Sequence, residues 1–167
     1  FNLNIANAIT HFGQEIIKLT AKKIEEEGHE VIYSDTDSVF VLSKAQNIDD
    51  ANRIGRKISL DINKFFDKYV KEKYDRKNYL ELEYEKCFVR FLMPRIRGSE
   101  TGAKKRYAGL NSNGKIEVTG METVRSDWTE LAKKFQTELL DRVFHKKEIK
   151  SYIKKLIDNV RSGKYDK

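Results

Sequence analysis

Apolar residues recur at helical spacing in two long segments of the first half of the chain, residues 6–27 and 49–72. Each segment therefore predicts a helix with one apolar face, which is typical of a helix that packs on a core. Gly28 is a natural end for the first helix, because glycine readily adopts the left-handed conformation that terminates helices. The carboxylates of Asp49 and Asp50 suit the start of the second helix. The apolar positions are Ile9, Phe12, Ile16, Leu19 or Thr20 and Ile24, followed by Ile54, Ile58, Ile62, Phe65, Phe66 and Tyr69.

Between the two predicted helices, the apolar runs 31–33 and 39–42 predict a β-hairpin with a polar tip. Side chains two residues apart along a strand point the same way, so Asp35 and Asp37 could share one divalent cation or one developing charge. A hard cation such as Mg²⁺ favours oxygen ligands of this kind. The alternative from these residues alone is an Asx-type turn, in which the aspartates bond backbone amides.

Strand-like alternation returns over residues 80–93, and its parity changes near Glu85 and Lys86. This change predicts a β-bulge or a bend at that point. The acidic positions Glu81, Glu83 and Glu85 are expected to form a solvated strand face. A metal site is the weaker alternative, because nothing else in the local sequence completes a ligand set.

A second hairpin is predicted from residues 104–110 and 115–119, joined by an Asn-Gly turn. Lys105 and Tyr107 would then share a strand face, which would let an ammonium reach a phosphate beside a phenol. Two helices are predicted to close the chain after a cap at Ser126 or Asp127. Their apolar positions are Trp128, Leu131, Phe135, Leu139 and Val143, then Ile149, Tyr152, Ile153, Leu156, Ile157 and Val160.

Composition limits the kind of protein that these elements can form. A chain of 167 residues with 39% hydrophobic residues can build one compact core, with room for a small second lobe. No apolar run approaches the roughly 18–20 residues that span a bilayer, so a membrane partner is not expected. The single cysteine, Cys87, cannot form an internal disulfide and has apolar neighbours, which predicts a buried thiol. A cytoplasmic location is compatible with these features.

Positive charge is concentrated in the last two fifths of the chain. Residues 1–100 contain 17 Lys and Arg and 17 Asp and Glu, whereas residues 101–167 contain 16 and 9, which accounts for the net charge of +7. Such an excess favours a nucleic-acid backbone as partner, because Lys and Arg release condensed counterions when they neutralise phosphates. A solvated basic surface remains the alternative from charge alone.

Three segments resemble motifs of family B DNA polymerases, in the order that the family has them. Residues 33–38, Y-S-D-T-D-S, resemble the Y-G-D-T-D-S hairpin of the palm domain, which carries a catalytic aspartate. Residues 104–110, K-K-R-Y-A-G-L, resemble the primer-gripping K-x-Y region, and residues 120–128, G-M-E-T-V-R-S-D-W, are similar to G-x-E-x-V-R-x-D-W at the junction of palm and thumb. The residues of these motifs most resemble those of bacterial DNA polymerase II and its relatives. The residues that precede the second motif and also match are Phe91, Leu92, Met93, Pro94, Ile96, Arg97, Gly98, Thr101 and Gly102.

The resemblance implies an α+β fold, with an antiparallel palm-type sheet backed by the helices at 6–27 and 49–72 and followed by an α-helical thumb segment. Residues 1–126 would be the C-terminal part of the palm, with the tail of the preceding helical region at its start, and residues 127–167 the beginning of the thumb. The chain is too short for a complete polymerase of this family. Because its first residue is Phe1, we expect an excised piece or a processed product, with a subunit of a naturally split enzyme as the alternative.

The resemblance also implies site residues for nucleotidyl transfer at a two-Mg²⁺ site that a carboxylate outside this chain completes. Asp37 is the expected metal ligand, with Asp35 close by in a supporting role. Ser34 departs from the family, which usually has glycine at that position, and this raises doubt about the fine positioning of the hairpin. The residues expected to support the hairpin are Tyr33, Ser34, Thr36 and Ser38.

For DNA contacts, the resemblance assigns Lys105 and Tyr107 to the primer strand, with Lys104 and Arg106 as auxiliary contacts. Arg125 is expected either to contact a phosphate or to pair with Glu122 or Asp127, and the sequence does not choose between these. The implied partners are primer-template DNA, deoxynucleoside triphosphates and the missing exonuclease, fingers and palm portion, with a sliding clamp as a further candidate.

The function implied is therefore that of a fragment or subunit of a DNA-directed DNA polymerase, inactive by itself. The alternative from another class is a noncatalytic duplex-DNA-binding module, either the accessory half of a split polymerase or an inactivated relic. A nucleotidyl cyclase on a palm-like sheet is less favoured, because the K-K-R-Y and thumb-like segments would have no purpose there.

Overall fold

The computed structural model describes residues 2–95, 98 and 102–166, and the chain divides into two compact units, Phe1–Cys87 and Phe88–Lys167. The motif positions Ile96, Arg97 and Thr101 lie outside the described residues. Over the described residues the fold is α+β, as predicted, with helices and antiparallel sheets in both units. Nowhere in this part of the chain is a helix both long and apolar enough to cross a membrane.

The first unit contains helix α1 (Leu3–Glu26), strands β1 (Glu30–Asp35) and β2 (Ser38–Leu42), and helix α2 (Ile48–Tyr74). The side chain of Asn2 accepts the backbone N–H of Asn4 and of Ile5 and so caps α1, which begins earlier than the sequence predicts. Gly28 has φ +86°, which confirms its predicted role as the end of this helix. Asn47 caps α2 by accepting the N–H of Asp50.

A buried apolar cluster holds the first unit together. Its members are Ile24 of α1 and Ile58, Ile62 and Phe66 of α2, and valines of both hairpin strands pack against it. The predicted apolar stripes are therefore core positions along α2 and the second half of α1. The prediction is wrong for Ile9 and Phe12, because these side chains remain 68% and 49% exposed.

Residues 80–87 differ from the predicted strand, because they pair with a helix side chain and not with another strand. The Asn63 side chain of α2 donates to the Leu82 carbonyl oxygen at 3.0 Å and accepts the Leu82 N–H at 2.7 Å. The Tyr84 hydroxyl donates to Asn52 Oδ1 at 2.7 Å. The bonds from Asn63 satisfy both backbone groups of Leu82 without a neighbouring strand. The acidic residues of this segment are exposed, as predicted, and are Glu81, Glu83 and Glu85.

The second unit contains strands β3 (Phe88–Leu92), β4 (Tyr107–Asn111) and β5 (Ile116–Thr119), a 3₁₀ turn (Glu122–Val124), and helices α3 (Glu130–Phe144) and α4 (Lys150–Arg161). The three strands form an antiparallel sheet in chain order. The predicted bulge lies later than expected, because the register of β3 and β4 shifts between Phe88 and Arg90 and not near residue 85.

The predicted turn between β4 and β5 is confirmed at residues 111–114. The Gly114 N–H donates to the Asn111 carbonyl oxygen at 3.0 Å, and Gly114 has φ +81°. The buried core of this unit joins the sheet to α3 through Ala108, Leu110, Met121, Leu140 and Phe144.

Helix α3 begins later than the sequence predicts. Its cap is Thr129, whose hydroxyl oxygen accepts the Ala132 N–H at 3.3 Å, and not Ser126 or Asp127. Trp128 therefore lies outside the helix and is 43% exposed. Cys87, at the end of the first unit, is only half-buried, and burial raises the pKa of its thiol.

Candidate catalytic hairpin and nucleic-acid interface

The tip of the first hairpin is a two-residue loop formed by Thr36 and Asp37. Strands β1 and β2 are antiparallel, and Asp35 lies opposite Ser38 at the end of the ladder. Thr36 has φ +40°, a left-handed conformation that a tight hairpin loop requires. The loop therefore fixes Asp35 at the last strand position and Asp37 at the turn itself.

The main-chain carbonyl oxygen of Asp35 is the acceptor that closes this loop. It accepts the Asp37 N–H and the Ser38 hydroxyl, the latter at 3.3 Å. The Thr36 hydroxyl donates to Asp35 Oδ1 at 3.1 Å. The alternation argument fails for this pair, because Asp37 lies in the loop and strand geometry does not relate it to Asp35.

The two aspartates differ in their surroundings. Asp35 is half-buried, whereas Asp37 is exposed, and the described residues offer its carboxylate neither a hydrogen bond nor an ion pair. Oxygen donors of this kind suit Mg²⁺, but in the described part of the chain no group of three His, Cys, Asp or Glu side chains forms a metal site. The hairpin fits a metal ion only as part of a ligand set that water, substrate or another polypeptide completes.

The strands behind the loop are held by packing across the hairpin. The rings of Tyr33 and Phe40 lie 5.5 Å apart between centroids, and helix α1 packs against both strands. Ser34 is exposed and pairs with Val39 in the extended ladder. An exposed strand position has room for a side chain, so the hairpin accommodates serine where the family usually has glycine.

Lys104 and Lys105 lie in a turn that precedes β4. The Arg106 N–H donates to the Ala103 carbonyl oxygen at 3.4 Å and closes this segment, residues 103–106, which we call the basic turn. Lys105 has φ +58°, so the prediction that Lys105 and Tyr107 share a strand face is wrong. Both lysines are exposed.

Gly120, which follows β5, lies against the main chain of the basic turn. A Cβ placed on Gly120 would lie 1.9 Å from the main-chain oxygen of Lys105, and Gly120 has φ +61°. Only glycine allows this backbone to approach the basic turn so closely in that conformation. The glycine that begins the third motif therefore supports the basic residues of the second motif.

Arg106 forms an ion pair with Glu122 in the 3₁₀ turn, and the Gln136 side chain of α3 donates to the same carboxylate. Gln136 Oε1 also accepts the Thr123 N–H at 2.7 Å. The hydrogen bond from Gln136, with a further contribution from Arg106, lowers the pKa of Glu122. This contact network was not predicted, because Gln136 belongs to no motif and carries no signal in the sequence.

Arg125 pairs with Asp127, which is one of the alternatives left open by the sequence. Its Nε and Nη2 donate to the two carboxylate oxygens at 2.9 and 2.6 Å. The hydrogen bond between the two side chains raises the pKa of Arg125 and lowers that of Asp127. Both remain more than half exposed, so the pair lies at the surface.

Tyr107 lies on the sheet face opposite the buried core. Its ring packs 5.5 Å from that of Phe91, and Phe91 lies 6.0 Å from Phe88. Gly109 is buried beneath these rings, and a Cβ there would meet Phe88 at 2.2 Å. Tyr107 is thus held by aromatic packing beside the basic turn.

Comparison with known proteins identifies the family of this chain. The family model described as DNA polymerase family B matches residues 1–166. The chain belongs to this family. It is 43% identical over 170 aligned residues to "DNA polymerase II" of Escherichia coli (strain K12), which covers 99% of this chain and 22% of that protein.

Relatives with lower identity also match over nearly the whole chain. The chain is 34% identical to "DNA polymerase 2" of Aeropyrum pernix, over 96% of this chain and 17% of that protein. It is 30% identical to "DNA polymerase delta catalytic subunit" of Oryza sativa subsp. japonica, over 98% of this chain and 15% of that protein. This family B chain therefore spans about a fifth of the length of the curated relatives it matches. Because these relatives are named as DNA polymerases, a noncatalytic DNA-binding module is not favoured.

Proposed function

We propose that this chain contributes the catalytic aspartate hairpin and the primer-template contacts of a DNA-directed DNA polymerase. In this proposal residues 1–126 form the C-terminal part of the palm and residues 127–167 the beginning of the thumb. The observation that carries the proposal is the hairpin loop, which exposes the Asp37 carboxylate at the end of a ladder backed by a packed helix. Family membership supports it.

At the hairpin, Asp37 is the proposed direct metal ligand, and Asp35 the supporting carboxylate. Two Mg²⁺ ions, when bound, would activate the primer hydroxyl and neutralise the leaving pyrophosphate of a deoxynucleoside triphosphate. The chain's own part is to hold Asp37 at the tip. The hydrogen bonds that Thr36 and Ser38 donate to Asp35 support that role, because they fix the loop that carries Asp37.

At the nucleic-acid surface, the exposed side chain of Lys105 is the proposed contact with phosphates of the primer strand. Tyr107 is proposed to pack beside a sugar, since aromatic neighbours hold its ring. Lys104 and Arg106 are proposed as auxiliary contacts, and Arg125 is proposed to contact a phosphate. Each of the two arginines already has a carboxylate partner, so a phosphate would have to share or displace Glu122 or Asp127.

The exposed face of α1 supports a further part of the proposal, that other polymerase segments complete this core. Large apolar side chains in the first half of α1 are between 49% and 68% exposed, and they continue the stripe that is buried in the second half of the helix. The proposed cover is the exonuclease, fingers and first palm portion. A sliding clamp is kept as a candidate partner. The exposed residues are Leu3, Ile5, Ile9 and Phe12.

Primer extension tests the proposal. The chain is assayed with Mg²⁺ and nucleotides, alone and mixed with a polypeptide that supplies the segments of a full-length family B relative flanking the matched region. We expect extension only in the mixture and its loss in Asp37→Ala. Asp49→Ala, which removes an exposed carboxylate in the same unit, is the matched control and should retain extension. Extension by the Asp37→Ala mixture, or by the chain alone, would contradict the proposal.

A further inference from the structure

The Glu122 carboxylate connects the basic turn to helix α3. Its Oε1 accepts a hydrogen bond from the Arg106 guanidinium, and its Oε2 accepts one from the Gln136 side-chain amide. Only 17% of the Glu122 side chain is exposed, compared with 42% of that of Arg106. A carboxylate with so little access to water depends on its protein partners to remain ionised.

Gln136 uses both ends of its amide on neighbouring residues. Nε2 donates to Glu122, and Oε1 accepts the Thr123 N–H at 2.7 Å. Only this orientation satisfies both neighbours, because the reversed amide would turn its oxygen to a carboxylate and its N–H₂ to an N–H. Gln136 is carried by the helix whose Leu140 and Phe144 lie in the buried core. The core thus sets the position of the Glu122 carboxylate through one amide.

We propose that Gln136 is a positioning residue for DNA binding, which holds Glu122, and through it Arg106 and the basic turn, in the geometry that meets the backbone of a primer-template duplex. This inference rests on the function proposed above. Lys105 is the group that gains from the arrangement, because it lies next to Arg106 in a left-handed turn. Contacts that already order a binding group increase affinity, because less conformational entropy is lost when the ligand binds.

The isosteric change Gln136→Glu probes this role, because it replaces the donor facing Glu122 with a second carboxylate. The two carboxylates repel, and the Arg106 pair loses its fixed geometry. The swap of Glu122→Gln with Gln136→Glu restores the pattern. In the swap the carboxylate is at position 136 and the amide at position 122. The carboxylate accepts hydrogen bonds from the Thr123 N–H and from the amide N–H₂ group, and the amide oxygen accepts one from Arg106. The swap also has the same net charge as the parent chain.

The assay is the affinity of the 167-residue chain for a fluorescein-labelled primer-template hairpin, measured by anisotropy at several salt concentrations. Thr137→Glu is the charge control, because it adds the same charge on an exposed neighbouring position of α3. Each variant is also made with Lys105→Ala, which forms a double-mutant cycle. Circular dichroism and the unfolding midpoint establish that each variant is folded, and Gln136→Leu repeats the comparison without an added charge.

We expect Gln136→Glu to weaken binding by about threefold to tenfold more than Thr137→Glu, and the swap to restore affinity to within about twofold of the parent. With Lys105→Ala present, the extra loss from Gln136→Glu should shrink towards that from Thr137→Glu. A general destabilisation would give the same loss in both backgrounds and would overturn the inference, as would a folded swap that binds no better than Gln136→Glu.

The same measurements separate this inference from the proposed function. If Lys105→Ala weakens binding but neither Gln136→Glu nor Gln136→Leu exceeds its control, the inference fails and the proposed DNA contact stands. If the parent chain does not bind the duplex, or binds it as tightly as Lys105→Ala does, the proposed contact fails and the inference fails with it.

Discussion

Gly120 allows the most specific test of how this structure positions its basic residues. In Gly120→Ala the added Cβ would lie 1.9 Å from the main-chain oxygen of Lys105, so either residue 120 or the basic turn must move. The residue also has φ +61°, which costs an L-amino acid about 1–2 kcal/mol relative to glycine. Relief of the overlap adds about 1–3 kcal/mol, a typical cost of overpacking.

Gly114→Ala is a matched control within the same unit. Gly114 has φ +81°, but a Cβ there has no heavy atom within 4 Å, so this variant has only the conformational cost of about 1–2 kcal/mol. The free energy of unfolding from urea titration should therefore fall by about 2–5 kcal/mol in Gly120→Ala and clearly less in Gly114→Ala. Duplex affinity should fall only in Gly120→Ala. Equal losses of stability and affinity in the two variants would refute the close approach of Gly120 to Lys105.

Two further predictions concern polar groups that the fold partly buries. Asn63→Ala should cost about 1–3 kcal/mol, because it removes the partner of both Leu82 backbone groups, and hydrogen exchange at the Leu82 amide should accelerate. The folded-state pKa of Glu122 lies below its ordinary value of 4.5, so its contribution to stability is present above that pH and is lost as pH falls through the folded-state value. Urea titrations between about pH 7 and pH 3 should show this loss, and Glu122→Gln should reduce it; an unchanged pH profile in Glu122→Gln would contradict the assignment.

Apolar spacing and turn residues predicted the helices and hairpins whose conformation depends on residues close together in the sequence. The apolar stripes predicted α1 and α2, and the turn residues 111–114 predicted the second hairpin with its partner strands. The apolar runs 31–33 and 39–42 predicted the first hairpin, and of the two aspartates expected at its tip, Asp37 lies in the loop and Asp35 at the last strand position. Short-range spacing and the buried face agree along α2 and the second half of α1, whereas Ile9 and Phe12 in the first half of α1 are exposed.

The errors occur where a distant residue determines local geometry. Residues 80–87 alternate like a strand, but at Leu82 the side chain of Asn63 takes both hydrogen bonds that a neighbouring strand would supply. Lys105 lies in a turn before the strand, at the point where Gly120 approaches its main chain from beyond β5. Gln136 has no local signature, since its role depends on a carboxylate in another element. Tertiary contacts of this kind override the pattern of the segment itself.

Single-turnover primer extension separates the two roles proposed here, that of Asp37 in catalysis and that of Lys105 in DNA binding. In the assembled polymerase, the extension rate at saturating duplex and the duplex affinity are measured for Asp37→Asn and for Lys105→Ala. We predict that Asp37→Asn loses extension and retains affinity, whereas Lys105→Ala weakens affinity and retains most of the rate at saturation. If Asp37→Asn extends primers at the parent rate, the hairpin is not the catalytic element and the account is wrong.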